Sequence, residues 1–302
     1  MGFEVRNLPT LHLRADTKGN AEFFKFSIAS RRDLIYDAPG MMSHRNRIII
    51  LGAITVAAGV AVALLPRVAQ PLEYHNFADH RAFVAVPNFL NVISNAPFLI
   101  AGLWGLMLAL GLGGPAEHPF TTPVERLPYV ILAAGVGLTC FGSGYYHLAP
   151  DNARLVWDRL PMTLAFMSLL SAMLMERINL RAGLVALGPL LILGLVSVGQ
   201  WYISELHGAG DMRLYLMVQF YTLLVILLLL WLFPARYSRG ADLIVAMGFY
   251  VLAKILESLD RPVYNLGHII SGHTLKHLMA ALGIYWVFRM LARRRPLIQG
   301  GS

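Results

Sequence analysis

Apolar runs of membrane-crossing length dominate this sequence. A transmembrane helix needs about 20 predominantly apolar residues, within a range of about 17–25. Eight stretches reach or approach that length: 48–65, 89–112, 127–148, 160–176, 180–203, 214–234, 241–258 and 266–288. The first, IIILGAITVAAGVAVALL, and the sixth, LYLMVQFYTLLVILLLLWLFP, contain no charged residue. The fourth is short, and the seventh carries Asp242 and Lys254 near its ends. Charged residues make up only 14% of the chain, against roughly 25% in a soluble domain. That excludes a soluble globular enzyme, a disordered chain and a fibrous protein. The single cysteine, Cys140, excludes a disulfide scaffold and a cysteine-rich metal cluster. With no internal repeat and mostly short connections, the pattern predicts one all-α polytopic membrane helix bundle.

Basic residues near the segment ends set the expected orientation. Arg45 and Arg47 precede the first segment, Arg177 and Arg181 lie between the fourth and fifth, and Arg236 and Arg239 between the sixth and seventh. Arg289 and the run Arg293, Arg294, Arg295 close the eighth. With eight spans these four places fall on one side, which is therefore read as cytoplasmic, with both termini there. The opposite loops are near neutral or acidic, with Glu205, Asp211, Glu257 and Asp260. This explains the net charge of +8 without nucleic acid. The implied location is a bacterial inner membrane. Residues 1–41 are polar, lack the apolar core of a signal peptide, and read as a disordered tail. Residues 42–73 read as one additional transmembrane helix and a linker, and 291–302 as a basic cytoplasmic tail.

Ionisable groups inside membrane helices are costly and mark function. In the eighth segment His273 and His277 are four apart and share one helical face. His268 points elsewhere on an ideal helix, and Lys276 is placed to snorkel outward or to pair with an acid. The third segment ends CFGSGYYHLAP, with Ser143 and His147 again four apart and Gly142 and Gly144 flanking the serine, which permits close helix approach. Asp158 follows His147 by eleven residues, at the entrance to the fourth segment, with Pro161 expected in that helix's first turn. The topology brings His147, Asp158, His273 and His277 to one depth near the outer face. Three neutral histidines with a fourth position for water form a catalytic zinc arrangement. Asp158 would orient that water or accept its proton, and Ser143 would hydrogen-bond the water or a developing oxyanion. The bland alternatives are a polar network for the histidines, a salt bridge from Asp158 to Arg159 or Arg154, and simple packing for Ser143. Pocket lining and helix linking are both open for Ser94, Asn95 and Gln219. Glu257 and Asp260 lie near the same surface, within reach of Lys276, Arg159 or a histidine.

Three stretches, NFLNVISNAPFLIAG (88–102), GSGYYHLAPDNARLVWDRLP (142–161) and SGHTLKHLMAA (271–281), resemble the alkaline ceramidase family. That family sits within a superfamily of membrane hydrolases that includes the adiponectin-receptor, hemolysin III-like and Per1-like proteins. The similarity extends over about residues 74–290. It implies a seven-helix core over 74–290 preceded by one extra N-terminal helix. It also implies zinc on His147, His273 and His277, with Ser143 and Asp158 beside the metal water. The implied reaction is hydrolysis of the amide of a ceramide-like membrane lipid to a fatty acid and a sphingoid-type amine. The family's acidic calcium-binding stretch corresponds here to EYHNFADHRAFVAVPN, with Tyr74 at the leading aspartate position and Asn88 at the closing glutamate position. The acid count is low for a hard calcium site, so calcium is not carried over. Asp79 and Arg81 are expected to pair there instead. The competing readings are a zinc esterase or phospholipase-like hydrolase, and a transporter or receptor using the histidines as a polar network.

Overall fold

The computed structural model describes residues 42–112 and 119–297. The tail read over 1–41 and the last residues of the basic tail lie outside them. Among the described residues the chain is all helix and connection, with no strand beyond two isolated bridges. Eight long helices follow one another: α1 (His44–Leu64), α2 (Phe89–Leu110), α3 (Arg126–Leu148), α4 (Asn152–Arg177), α5 (Leu180–Leu206), α6 (Arg213–Leu232), α7 (Ala241–Ser258) and α8 (Gly272–Arg293). Six of them, all but α4 and α7, are long and apolar enough to cross a membrane. The protein is an all-α polytopic membrane helix bundle.

Two helices depart from the sequence reading, and capping explains why. α4 begins eight residues before the predicted 160, because the Asp151 side chain accepts from Arg154 N and caps it. Its charged opening, with Arg154, Asp158 and Arg159, hid those turns from a hydropathy reading. Pro161 therefore lies in the helix interior rather than in its first turn. α8 begins at Gly272, where the Ser271 side chain accepts from Thr274 N. Residues 266–271 are loop, not helix, and follow a short helix at Asp260–Asn265.

Helices α2 to α5 pack as sequential neighbours, α7 packs on α8, and α8 returns to α2. α6 leans on α4, and α1 packs chiefly on α6 and is the least buried of the spanning helices. α6 and α7 scarcely meet, although they are consecutive. The core is apolar, built around Tyr129, Leu132, Val136, Met167, Met173, Ile226, Leu229 and Phe288.

A buried ion pair locks one end of the bundle. Arg294, just after α8, donates to Glu176 near the end of α4. The Tyr129 hydroxyl donates to the same carboxylate at 2.7 Å. Arg294 Nε donates to Pro119 O at 2.9 Å, and its guanidinium lies 4.1 Å from the Tyr237 ring centroid. Beside it Glu125 accepts from Thr121 N at 3.1 Å, from the Tyr237 hydroxyl and from Arg236 at 3.0 Å. Breaking such a pair from one side leaves a buried charge alone, which costs about 3–5 kcal/mol. Arg294→Met should therefore destabilise the protein by about that amount. The double variant with Glu176→Met should recover most of the loss. Equilibrium unfolding in detergent micelles measures both, and a single variant as stable as the parent would show that the pair does not hold the helices.

Candidate metal centre

The ends of α3 and α8 opposite the ion pair bring three histidines together. His147 is in the last turn of α3, and His273 and His277 are in the first two turns of α8. All three are buried. Their ring centroids form a near-equilateral triangle, 5.0, 4.9 and 4.9 Å on a side. One nitrogen from each lies within 4.8 Å of the other two, so the three could hold a metal ion.

Hydrogen bonds decide which atoms are on offer. Ser94 Oγ has one hydrogen and lies 3.1 Å from Asn91 O, to which it donates. It must then accept from His277 Nδ1, 2.7 Å away. That fixes the Nδ1–H tautomer and leaves His277 Nε2 as the lone pair for a metal. His147 Nδ1 is buried without any hydrogen-bond partner. An orphaned buried imidazole nitrogen is costly, and a metal would satisfy it. Three buried imidazole nitrogens suit a borderline ion such as zinc better than a hard oxygen-seeking one. The residues fit the group that the sequence analysis expected.

The surrounding frame is also specific. Asp260 accepts from His273 N with Oδ1 and from Ala78 N with Oδ2, both at 2.8 Å. One carboxylate thus pins the first turn of α8 and the loop between α1 and α2. That loop carries Phe77, whose ring sits 4.4 Å from His273 and 4.7 Å from His147, centroid to centroid, and is buried. Asn88 Nδ2 donates to His147 O at 2.9 Å, and Thr274 Oγ1 donates to Asn91 Oδ1 at 2.8 Å. Asp79 and Arg81 do pair, through two contacts of 2.8 and 2.7 Å. The Arg81 guanidinium holds the Asp79 carboxyl below the ordinary carboxylate range.

Ser143 and Asp158 are brought side by side by a close crossing of α3 and α4. Pro161 has no N–H, so the Trp157 carbonyl four residues earlier has no helical partner. Gly142 of α3 lies against that carbonyl, and a methyl carbon on Gly142 would stand 2.0 Å from Trp157 O. Gly144, also expected to allow close approach, instead faces open space. The Ser143 hydroxyl interacts with the Asp158 carboxylate, and both line a cavity of about 310 Å³ that His277 also lines. Its far wall is apolar, with Phe98, Leu132, Val136, Leu223 and Met247. Asn95 and Gln219 line it too.

A polar belt crosses the cavity beside the histidines. Glu257 of α7 accepts from Lys276 Nζ at 2.6 Å, from Lys254 and from the Tyr74 hydroxyl at 3.2 Å. Lys276 therefore pairs with an acid rather than snorkelling outward, and its Nζ also stands 3.4 Å from His273 Nε2. Burial, reinforced by the Glu257 charge, pushes the Tyr74 phenol well above its ordinary range, so Tyr74 stays a donor.

The salt bridge from Asp158 to Arg159 or Arg154 does not form. Arg154 lies 3.9 Å from Asp151, and among the described residues no carboxylate comes within ion-pair distance of Arg159. His268 is exposed, with positive φ, and lies against Tyr264 away from the site. In the stretch corresponding to the calcium-binding segment, His80 bridges the Asn76 and Asn88 side-chain oxygens at 3.3 Å each. Sequence reasoning missed the roles of Ser94 and Phe77. Polar Ser94 in an apolar run was the available signal, whereas nothing marked Phe77. No protein-family model matches the chain, and no curated protein matches it.

Replacing Ser94 by alanine removes the group that fixes the His277 tautomer. Loss of such a partner typically weakens metal binding about 10–100-fold. Zinc competition with a chelator on purified Ser94→Ala should show that drop, and an unchanged affinity would show that Ser94 does not orient the ligand.

Proposed function

We propose that the protein is a zinc-dependent hydrolase that cleaves the acyl amide of a membrane lipid. One observation carries this reading. Three buried imidazoles within 4.8 Å of one another adjoin an apolar cavity in which a serine and a carboxylate stand together. Bound there, zinc would supply a Lewis acid for the carbonyl and a water of lowered pKa.

The remaining steps belong to side chains. Asp158, facing the cavity next to Ser143, accepts the proton of the attacking water and returns it to the leaving nitrogen. Water's oxygen thereby joins the acyl carbon, the C–N bond breaks, and a fatty acid and an amine result. Ser143 donates its single hydrogen to the Asp158 carboxylate and so orients it; once Asp158 has taken the water proton, that hydrogen is free for the oxygen that gains charge. Phe77, packed on His147 and His273, keeps bulk water from the loop side. The apolar wall takes the acyl chain. The side of the cavity lined by Leu223 of α6 and Met247 of α7 is the route by which that chain would enter from lipid.

Orientation follows from charge. Arg45, Arg47, Arg177, Arg236, Arg239 and Arg294 lie at the end of the bundle away from the histidines. The positive-inside rule then puts both termini in the cytoplasm of a bacterial cell and the histidines near the outer face. The ceramide-like substrate rests on the resemblance of the three sequence stretches.

Detergent-purified protein should contain roughly one equivalent of zinc, lost in His147→Ala and in His273→Ala. Asp158→Asn should keep the metal and lower turnover of an N-acyl lipid by about 10²–10⁴-fold. Metal analysis and fatty-acid release measure the two arms. Zinc without turnover of any amide or ester lipid would overturn the hydrolase reading, and turnover of esters alone would move it to a lipase.

A further inference from the structure

Among the described residues, Arg159 is a buried cation with no carboxylate within ion-pair distance. It lies one residue beyond Asp158 in α4, is 5% exposed, and lines the same cavity. Its guanidinium lies over the rings of Trp201 and Tyr215, 4.1 and 4.4 Å from their centroids. Its hydrogen-bond partners are Gln70 Oε1, at 2.5 Å, and the Met212 sulfur, at 3.7 Å. A guanidinium has five N–H donors, and a thioether is a weak acceptor. Gln70 is held in place in turn: its backbone N donates to Glu205 Oε1 at 2.6 Å and its Nε2 to Pro71 O at 3.4 Å.

The two lysines of the cavity do not share this state, because both are taken by Glu257. Three cations, Arg159, Lys254 and Lys276, thus face two carboxylates, Asp158 and Glu257, across one cavity. Burying an unpaired charge is among the most expensive arrangements a protein can hold, and inside a membrane it marks a binding site. The planar fork of arginine matches a carboxylate or phosphate with two parallel hydrogen bonds. Contact with two aromatic rings holds that fork in place.

We propose that Arg159, set by Gln70 and clamped by Trp201 and Tyr215, is an anion subsite that takes the carboxylate or phosphate at the polar end of the lipid. The inference rests on the cavity being a lipid-hydrolase site. It deepens that reading by naming the substrate class: an acylated amine with an acidic group close to the scissile amide, such as an N-acyl amino acid, in preference to a neutral ceramide. Lining the same cavity as Asp158, Arg159 positions the head group while Asp158 handles the proton.

The test is equilibrium binding of N-palmitoylglycine and of its neutral methyl ester to the detergent-purified full chain. The acid should bind at least about tenfold tighter than the ester, as expected for a charge-assisted contact. Arg159→Gln should abolish that preference. Arg159→Lys should retain part of it. His147→Ala should retain all of it, which separates this subsite from a carboxylate held by the metal. Equal binding of acid and ester to the parent protein, a comparison that needs no variant, overturns the subsite and leaves the lipid site standing. A preference lost in His147→Ala but kept in Arg159→Gln overturns it as well. Binding of neither compound overturns the lipid-site reading and the subsite with it. Displacement of N-palmitoylglycine by inorganic phosphate alone, dependent on Arg159, would keep the anion site but overturn the lipid head group as its source.

Discussion

A lipid interior offers no hydrogen-bond partner, so every polar group placed within the bundle must find one in the chain. That constraint builds the histidine triangle. Asp260 uses both oxygens on backbone N–H groups, one at the start of α8 and one in the loop that carries Phe77. Ser94 spends its hydrogen on Asn91 and its lone pair on His277. Each bond satisfies a buried group, and together they hold one nitrogen of each histidine within 4.8 Å of the other two. At the other end Glu176 and Arg294 answer the same demand with no chemistry attached. The triangle is therefore as rigid as the helix packing around it.

The proline in α4 shows the same constraint acting on backbone. Pro161 strips a partner from the Trp157 carbonyl, which in lipid would be a liability. Gly142 brings the α3 backbone against that carbonyl, where any side chain would collide. The defect in one helix thus becomes the contact that places Ser143 beside Asp158. Neither residue reads as catalytic alone. Their juxtaposition depends on a proline three residues after the aspartate and a glycine just before the serine.

Much of this was legible in the sequence. Run length located the helices, because crossing a bilayer imposes a length that few other structures share. The spacings of Ser143 to His147 and His273 to His277 put each pair on a helix face, and topology put His147 and the α8 pair at one end. Charge was the obstacle elsewhere. The first turns of α4 were too polar for a hydropathy reading, though Asp151 caps them. The start of α8 was read six residues early, because the apolar Ile269 and Ile270 look helical while Ser271 supplies the actual cap. Contacts made by loops were beyond reach. Phe77 over the histidines and Gln70 against Arg159 depend on how the segment between α1 and α2 folds back, and no periodicity records that path.

Placing Leu223 of α6 and Met247 of α7 on the cavity wall has a consequence for how this cavity would sense its surroundings. An occupant arriving through the side of the bundle diffuses in two dimensions and never passes through water. Its effective concentration is its mole fraction in the leaflet, so saturation would follow membrane composition rather than the amount of lipid dispersed in the medium. Dilution of a lipid occupant by other lipids would then lower occupancy of the cavity in proportion, and the membrane itself would become part of the binding equilibrium.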